Sequence, residues 1–262
     1  MPQHTRLRAA DSRYAWTRLA VTLALMTIGS SAMYVVAVVL PAVQAEFGVA
    51  RADASLPYTL MMVGFGLGGV VMGKVADRVG VMWVMLIGAF GLGAGFVAAG
   101  LAGSLTAFAL AHGLLLGALG SATTFAPLVA DTSLWFARRR GIAVAICASG
   151  NYLGGAIWPP IVQHFVASDG WCHTYIGLGI FSAVAMAGLA QFMRPRPPVA
   201  VAVPASRATG AVPSTRPFGL SMGHAQTLLC IAGVACCVAM AMPQVHIVAY
   251  CSDLGFGAAR GA

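Results

Sequence analysis

Charge is what this chain has least of. Only 8% of its 262 residues are Asp, Glu, Lys or Arg, against about 25% in a soluble domain. Acid is the scarcer half, with seven Asp and Glu against fifteen Lys and Arg. A water-soluble fold of this size cannot hide a composition that is 59% hydrophobic, so lipid is the solvent for most of the chain. The formal charge of +8 would point to nucleic acid in a soluble protein. Here the bases cluster in the connections between apolar runs, which is a topology signal, and nucleic acid is not read as a partner. Cysteine is not arranged for chemistry either. Cys147, Cys172, Cys230, Cys236, Cys237 and Cys251 show no Cys-x-x-Cys spacing. Most fall inside apolar runs, where the thiol acts as a small hydrophobe. A Cys172–Cys251 disulfide stays open, and no metal or redox site is indicated. No nucleophile, base and orienting group can be placed on one face, so the sequence reads as a non-enzyme that asks for no cofactor.

What the chain has instead is long uncharged runs. Seven segments approach or exceed the roughly 20 residues that cross hydrocarbon as a helix: about 19–40, 55–73, 81–101, 105–130, 141–165, 173–193 and 225–250. The expected fold is therefore all-α and integral to the membrane. A cytoplasmic tail (1–18) leads into a six-helix bundle (19–193). A Pro-, Ala- and Ser-rich cytoplasmic linker (194–224) follows, and residues 225–262 open with a seventh membrane helix. The first run is too long for a signal-peptide core of about 7–15 residues, although Val43-Gln44-Ala45 loosely resembles a cleavage site. Thirteen of the fifteen Lys and Arg fall in segments on one side, only Arg51 and Arg260 on the other, which puts the N-terminus in the cytoplasm. Residues 131–140 are expected as an inner loop and 166–172 as an outer one, with Pro159 and Pro160 kinking or ending the fifth helix.

Between the second and third runs lies Gly73-Lys74-Val75-Ala76-Asp77-Arg78-Val79-Gly80. A charge at the bilayer centre costs about 2.5–3.5 kcal/mol even on the lenient insertion scale, so this octet belongs at a membrane surface. Its glycines are expected to permit a tight reversal. The spacing of Gly73, Asp77, Arg78 and Gly80 resembles the signature that major facilitator superfamily transporters carry between their second and third helices. Val81 and Met82 stand where that signature ends in two bases. A second stretch, Trp135-Phe136-Ala137-Arg138-Arg139-Arg140-Gly141-Ile142-Ala143 continuing through Ala148-Ser149-Gly150, is similar to a segment of monocarboxylate-transporter-like members, the group that includes the oxalate:formate antiporters. The acidic Gly/Trp-rich opening of that group is reduced here to Tyr14-Ala15-Trp16.

The resemblance implies about twelve helices in two halves, each built from 3+3 inverted repeats, with substrate near the membrane midplane. Seven helices then make the N-terminal part of a longer carrier, whose C-terminal half is its partner. It also implies that Asp77 and Arg78 gate. Asp77 would face a helix N-terminus of the other half and hold the outward-open state. Polar residues midway along the runs are the candidates for the substrate path: Tyr34, His112, Asn151, Tyr152 and His246, with Thr123, Thr124, Gln244 and Tyr250 beside them. Each has a packing alternative, strongest for the threonines, which can bond their own helix backbone. No Asp or Glu lies mid-run, so within this segment proton coupling would fall to a histidine. The expected function is secondary transport of small organic anions, such as mono- or dicarboxylates, by alternating access across a bacterial-type inner (plasma) membrane. Another carrier of the superfamily (drug or sugar type) and a transporter-derived membrane sensor or scaffold are the alternatives.

Overall fold

The computed structural model describes residues 11–195 and 221–254. The first ten residues of the tail, the linker from 196 to 220, residues 255–262 and the Gln244 side chain lie outside the described residues. The chain forms two compact units, Met1–Pro198 with Val248–Ala262, and Val199–Ile247. The described residues are helical with no strand, and seven helices are long and apolar enough to cross a membrane. They are α1 (Arg13–Phe47), α2 (Leu56–Val79), α3 (Val81–Gly100), α4 (Leu105–Trp135), α5 (Arg140–Asp169), α6 (Trp171–Ala190) and α7 (Met222–Asp253).

Every helix of the first unit but α3 outruns at least one end of its hydropathy signal, because hydropathy marks the hydrocarbon layer and a helix can continue into water at no backbone cost. Three expectations are corrected. The octet Gly73–Gly80 is not a turn: α2 continues to Val79, and Gly80 alone reverses the chain. The inner loop begins later than residue 131, since α4 runs to Trp135. The outer loop 166–172 shrinks to Gly170, because α5 passes through Pro159-Pro160 as far as Asp169 and α6 starts at Trp171. Val43-Gln44-Ala45 lies inside α1, and Cys172 and Cys251 are both free thiols.

Gly80 and Gly170 adopt nearly the same backbone, φ 94° ψ 156° and φ 80° ψ 161°. This region is essentially closed to side chains. Each donates its N–H four residues back, to Ala76 O and Val166 O. One turn joins α2 to α3 and the other joins α5 to α6. Shifting each helix by three therefore superimposes the two turns. The packing obeys the same shift: α1 lies on α5 and α4 lies on α2, while α3 lies on α6. Because three is odd, the second set starts at the opposite membrane face and is inverted. The buried centre is filled from both sets, by Phe96 and Leu92 of α3, Phe108 and Leu116 of α4 and Tyr175 of α6.

Gly80→Ala is expected to destabilise the bundle by about 1–3 kcal/mol, since alanine must hold a glycine-only conformation. Gly73 sits inside α2 with open space where a Cβ would go. Gly73→Ala should be neutral or stabilise by about 0.5–1 kcal/mol, the helix preference of alanine over glycine. Unfolding of the two variants in mixed micelles checks the pair; equal losses would mean that both glycines turn the chain.

Candidate functional site

Halfway along α1 the helix loses its regularity at Ser30, within Gly29-Ser30-Ser31. Glycine and serine pairs are common causes of such breaks. The Met33 N–H reaches Ser30 O instead of Gly29 O, which frees carbonyls in a layer without water. Other helices take them up. Ser121 Oγ of α4 donates to Gly29 O at 3.1 Å. Thr27 O accepts from Ser30 Oγ at 3.0 Å and from the Trp158 Nε1–H of α5 at 2.7 Å. Thr27 Oγ1 in turn donates to Leu23 O or to Gly150 O, 2.9 and 3.1 Å away. A non-helical backbone in the membrane survives only where such partners are supplied.

α4 is broken at the same level. It runs as a π-helix from Ala111 to Ser121 and bends at Phe125 (φ −102°, ψ −77°), just ahead of Pro127. Proline lacks the N–H that would continue the ladder. The two breaks touch, because a Cβ on Gly29 would strike the Thr124 side chain.

Against the broken stretch of α1 lies the small-residue face of α5. A Cβ on Gly150 would come within 2.8 Å of Leu23 O, one on Gly154 would collide with Ser30 Oγ, and one on Gly155 would sit 2.7 Å from the Tyr34 ring. Glycine at these places lets the helices approach to backbone contact. At this crossing the structure brings together three sequence-predicted residues. Tyr34 and Asn151 are half-buried, and Tyr152 is 61% exposed. Among the described residues none of the three side chains has a hydrogen-bond partner. Two phenols and an amide are thus held on rigid helices, with donors and acceptors free for a small polar molecule.

The other candidates lie elsewhere. His112 is fully buried between α4 and α6. Its Nδ1 is 2.8 Å from Phe108 O and its Nε2 is 3.3 Å from the Tyr175 hydroxyl, against the Phe108 and Tyr175 rings, on which Trp171 packs in turn. Trp171 Nε1 donates to Glu46 beyond it. Thr123 and Thr124 are buried and donate to Gly120 O and Ser121 O of their own helix. His246 is half-buried on α7 and Tyr250 is exposed there. Asp77 and Arg78 are exposed on the last turn of α2 and form no ion pair among the described residues.

Sequence reasoning missed Thr27, Ser30, Ser121 and Trp158, whose one visible signal is the Gly-Ser-Ser triplet in the first apolar run. It also missed a second polar cluster, at the end of the bundle where α1 begins. Arg18, read as part of the tail, lies inside α1 and forms a two-pronged ion pair with Asp131 of α4, Nε–Oδ2 2.9 Å and Nη2–Oδ1 3.0 Å. The side chains are 3% and 2% exposed. The guanidinium stacks 4.7 Å above Trp135. It also donates to Phe192 O and Met193 O, just past the end of α6. Asp11 closes the cluster by accepting from the N–H groups of Ala137 and Arg138.

Known proteins with the same pattern are transporters. The profile of the Major Facilitator Superfamily matches residues 20–262. The Fujikurins efflux protein of Gibberella fujikuroi is 34% identical over 156 residues, 58% of this chain and 32% of that protein. Riboflavin transporter RibJ of Trypanosoma cruzi is 32% identical over 131 residues, 50% of this chain and 28% of its own. Monocarboxylate transporter 6 of Mus musculus is 26% identical over 174 residues, 66% of this chain and 37% of its own. The chain spans about a third of the length of the curated relatives it matches. Helices in two shifted triplets, a Gly-x-x-x-Asp-Arg-x-Gly ending of α2 and a match over nearly the whole sequence agree: this chain belongs to the Major Facilitator Superfamily.

Proposed function

We propose that the chain is the N-terminal portion of a secondary transporter that moves small organic anions, such as mono- or dicarboxylates, by alternating access. Its basic end lies in the cytoplasm and its membrane is the inner (plasma) membrane. The observation that carries this is the α1–α5 crossing. A mid-membrane break whose carbonyls are satisfied from neighbouring helices stands beside unpartnered Tyr34, Asn151 and Tyr152 side chains, which is where carriers of this build hold cargo. The anion is favoured by the 135–150 segment and by the likeness to a monocarboxylate transporter. One observation favours a second reading, a carrier of neutral cargo: among the described residues no Lys or Arg lies at the level of the crossing. The buried, doubly partnered His112 is read as packing. Asp77 is read as a gate, because a carboxylate at the C-terminal end of its own helix is disfavoured by the helix dipole, and a helix N-terminus from another part of the protein would relieve it.

The test is uptake by the full-length gene product in proteoliposomes, with labelled lactate and oxalate against a labelled sugar and riboflavin. Anion uptake is expected, cut about tenfold or more by Tyr34→Ala or Asn151→Ala with unchanged unfolding temperature, the loss of one hydrogen bond to a charged group being worth about 1.5–3 kcal/mol. Uptake confined to neutral cargo would establish the second reading. No uptake, with a protein partner recovered by crosslinking, would leave the sensor or scaffold.

A further inference from the structure

Between α5 and α6 lies a cavity of about 950 Å³, closed at its deep end by Trp158, whose ring packs 5.8 Å from that of Phe181. Ile157, Ile161 and Phe165 of α5 and Gly177, Leu178 and Phe181 of α6 form its walls. Its polar groups are gathered at one end, beside the Gly170 turn: Asp169, His173 and Thr174. From Ile157 to Asp169 is twelve residues, about 18 Å at 1.5 Å per residue. One leaflet of hydrocarbon is about 15 Å deep, half of the 30 Å core. The cavity therefore runs from the membrane surface to the midplane and is apolar for the whole depth of one leaflet.

At the surface end Thr174 and one ring nitrogen of His173 bond back to the backbone. Thr174 Oγ1 donates to Gly170 O, and His173 Nδ1 lies 3.2 Å from Asp169 O. Asp169 accepts from Ser168 Oγ through Oδ2 at 2.9 Å. Its carboxylate is exposed and forms no ion pair with a Lys or Arg among the described residues. An occupant that satisfies both ends needs an apolar tail one leaflet long and a cation at its head.

We infer that this groove binds a phospholipid of the adjoining leaflet, its acyl chain along α5 and α6 and its primary ammonium headgroup on Asp169. A glycerol-headed anionic lipid of equal chain length fits the walls but places negative charge against the carboxylate.

The test is native mass spectrometry of the protein released from nanodiscs that hold ethanolamine- and glycerol-headed lipids with identical chains. One retained ethanolamine lipid per chain is expected, preferred about fivefold, the effect of one charge pair at contact in water-like surroundings. Asp169→Asn should erase the preference without preventing retention. Gly177→Leu should abolish retention, because its new side chain enters the groove where Gly177 now faces open space. A Cβ there meets nothing within 4 Å, so its unfolding temperature should match the parent's and separate an emptied groove from a misfolded protein. Equal retention of both lipids by the parent protein would overturn the inference. So would lipid still held by Gly177→Leu, or crosslinks from Ile161→Cys to another helix of the protein with no lipid retained.

Discussion

Arg18→Ala should lower the stability of the bundle by about 3–5 kcal/mol, the cost of removing one partner of a buried pair. Three losses coincide at this position. Asp131, with its side chain 2% exposed, is left charged without a counter-ion. Trp135 loses the cation over its ring. The carbonyls of Phe192 and Met193 lose their donor at the negative end of α6. Asp131→Ala strands the guanidinium in the same way and should cost a similar amount. Joint replacement, Arg18→Met with Asp131→Leu, should recover most of the loss, since apolar side chains of similar volume often replace a buried pair at no net cost. Unfolding of the four proteins in mixed micelles is the measurement. A double variant no more stable than the singles would show that Arg18 acts through its cap on α6 rather than through Asp131.

That pair marks where sequence reading stops. Long apolar runs are legible because the bilayer fixes their length, and all seven reappear as helices. Their ends are not, because Gly73–Val79, Asp131–Trp135 and Val166–Asp169 are polar enough to look like loops while remaining helical. Arg18 and Asp131 are 113 residues apart, and nothing local in either stretch announces that they meet. Each reads as an interfacial charge, and only the packing of α1 on α4 and α6 makes them a pair. The break in α1 is half legible: Gly29-Ser30-Ser31 interrupts an apolar run, but the donors that stabilise it come from Ser121 and Trp158 on other helices. The inverted repeat leaves a trace in the ninety-residue spacing of Gly80 and Gly170. Among thirty-two glycines that spacing carries no weight until the backbone shows that, among the described residues, only these two share the conformation.

Two glycines on α2 test the close crossing of α2 and α4. A Cβ on Gly64 would strike the backbone carbonyl of Gly113 and lie 3.1 Å from Ala118 N, whereas one on Gly66 would meet nothing within 4 Å. Gly64→Val should therefore cost about 3 kcal/mol or more, the upper end for overpacking, because a backbone carbonyl cannot rotate away as a side chain can. Gly66→Val, two residues along the same helix and equally β-branched, controls for helix propensity and should cost under about 1 kcal/mol. The damage should extend beyond α2. Gly113 belongs to the π-helical stretch that leads to Ser121, the residue that holds the freed Gly29 carbonyl. Prising α4 outward at Gly113 would withdraw that hydroxyl from the α1 break, so uptake by Gly64→Val protein that still inserts should fall, while Gly66→Val transports at the parent rate. Stability and transport lost together at Gly64, and neither at Gly66, is the expected outcome. Equal behaviour of the two would mean that α2 and α4 do not touch at backbone distance.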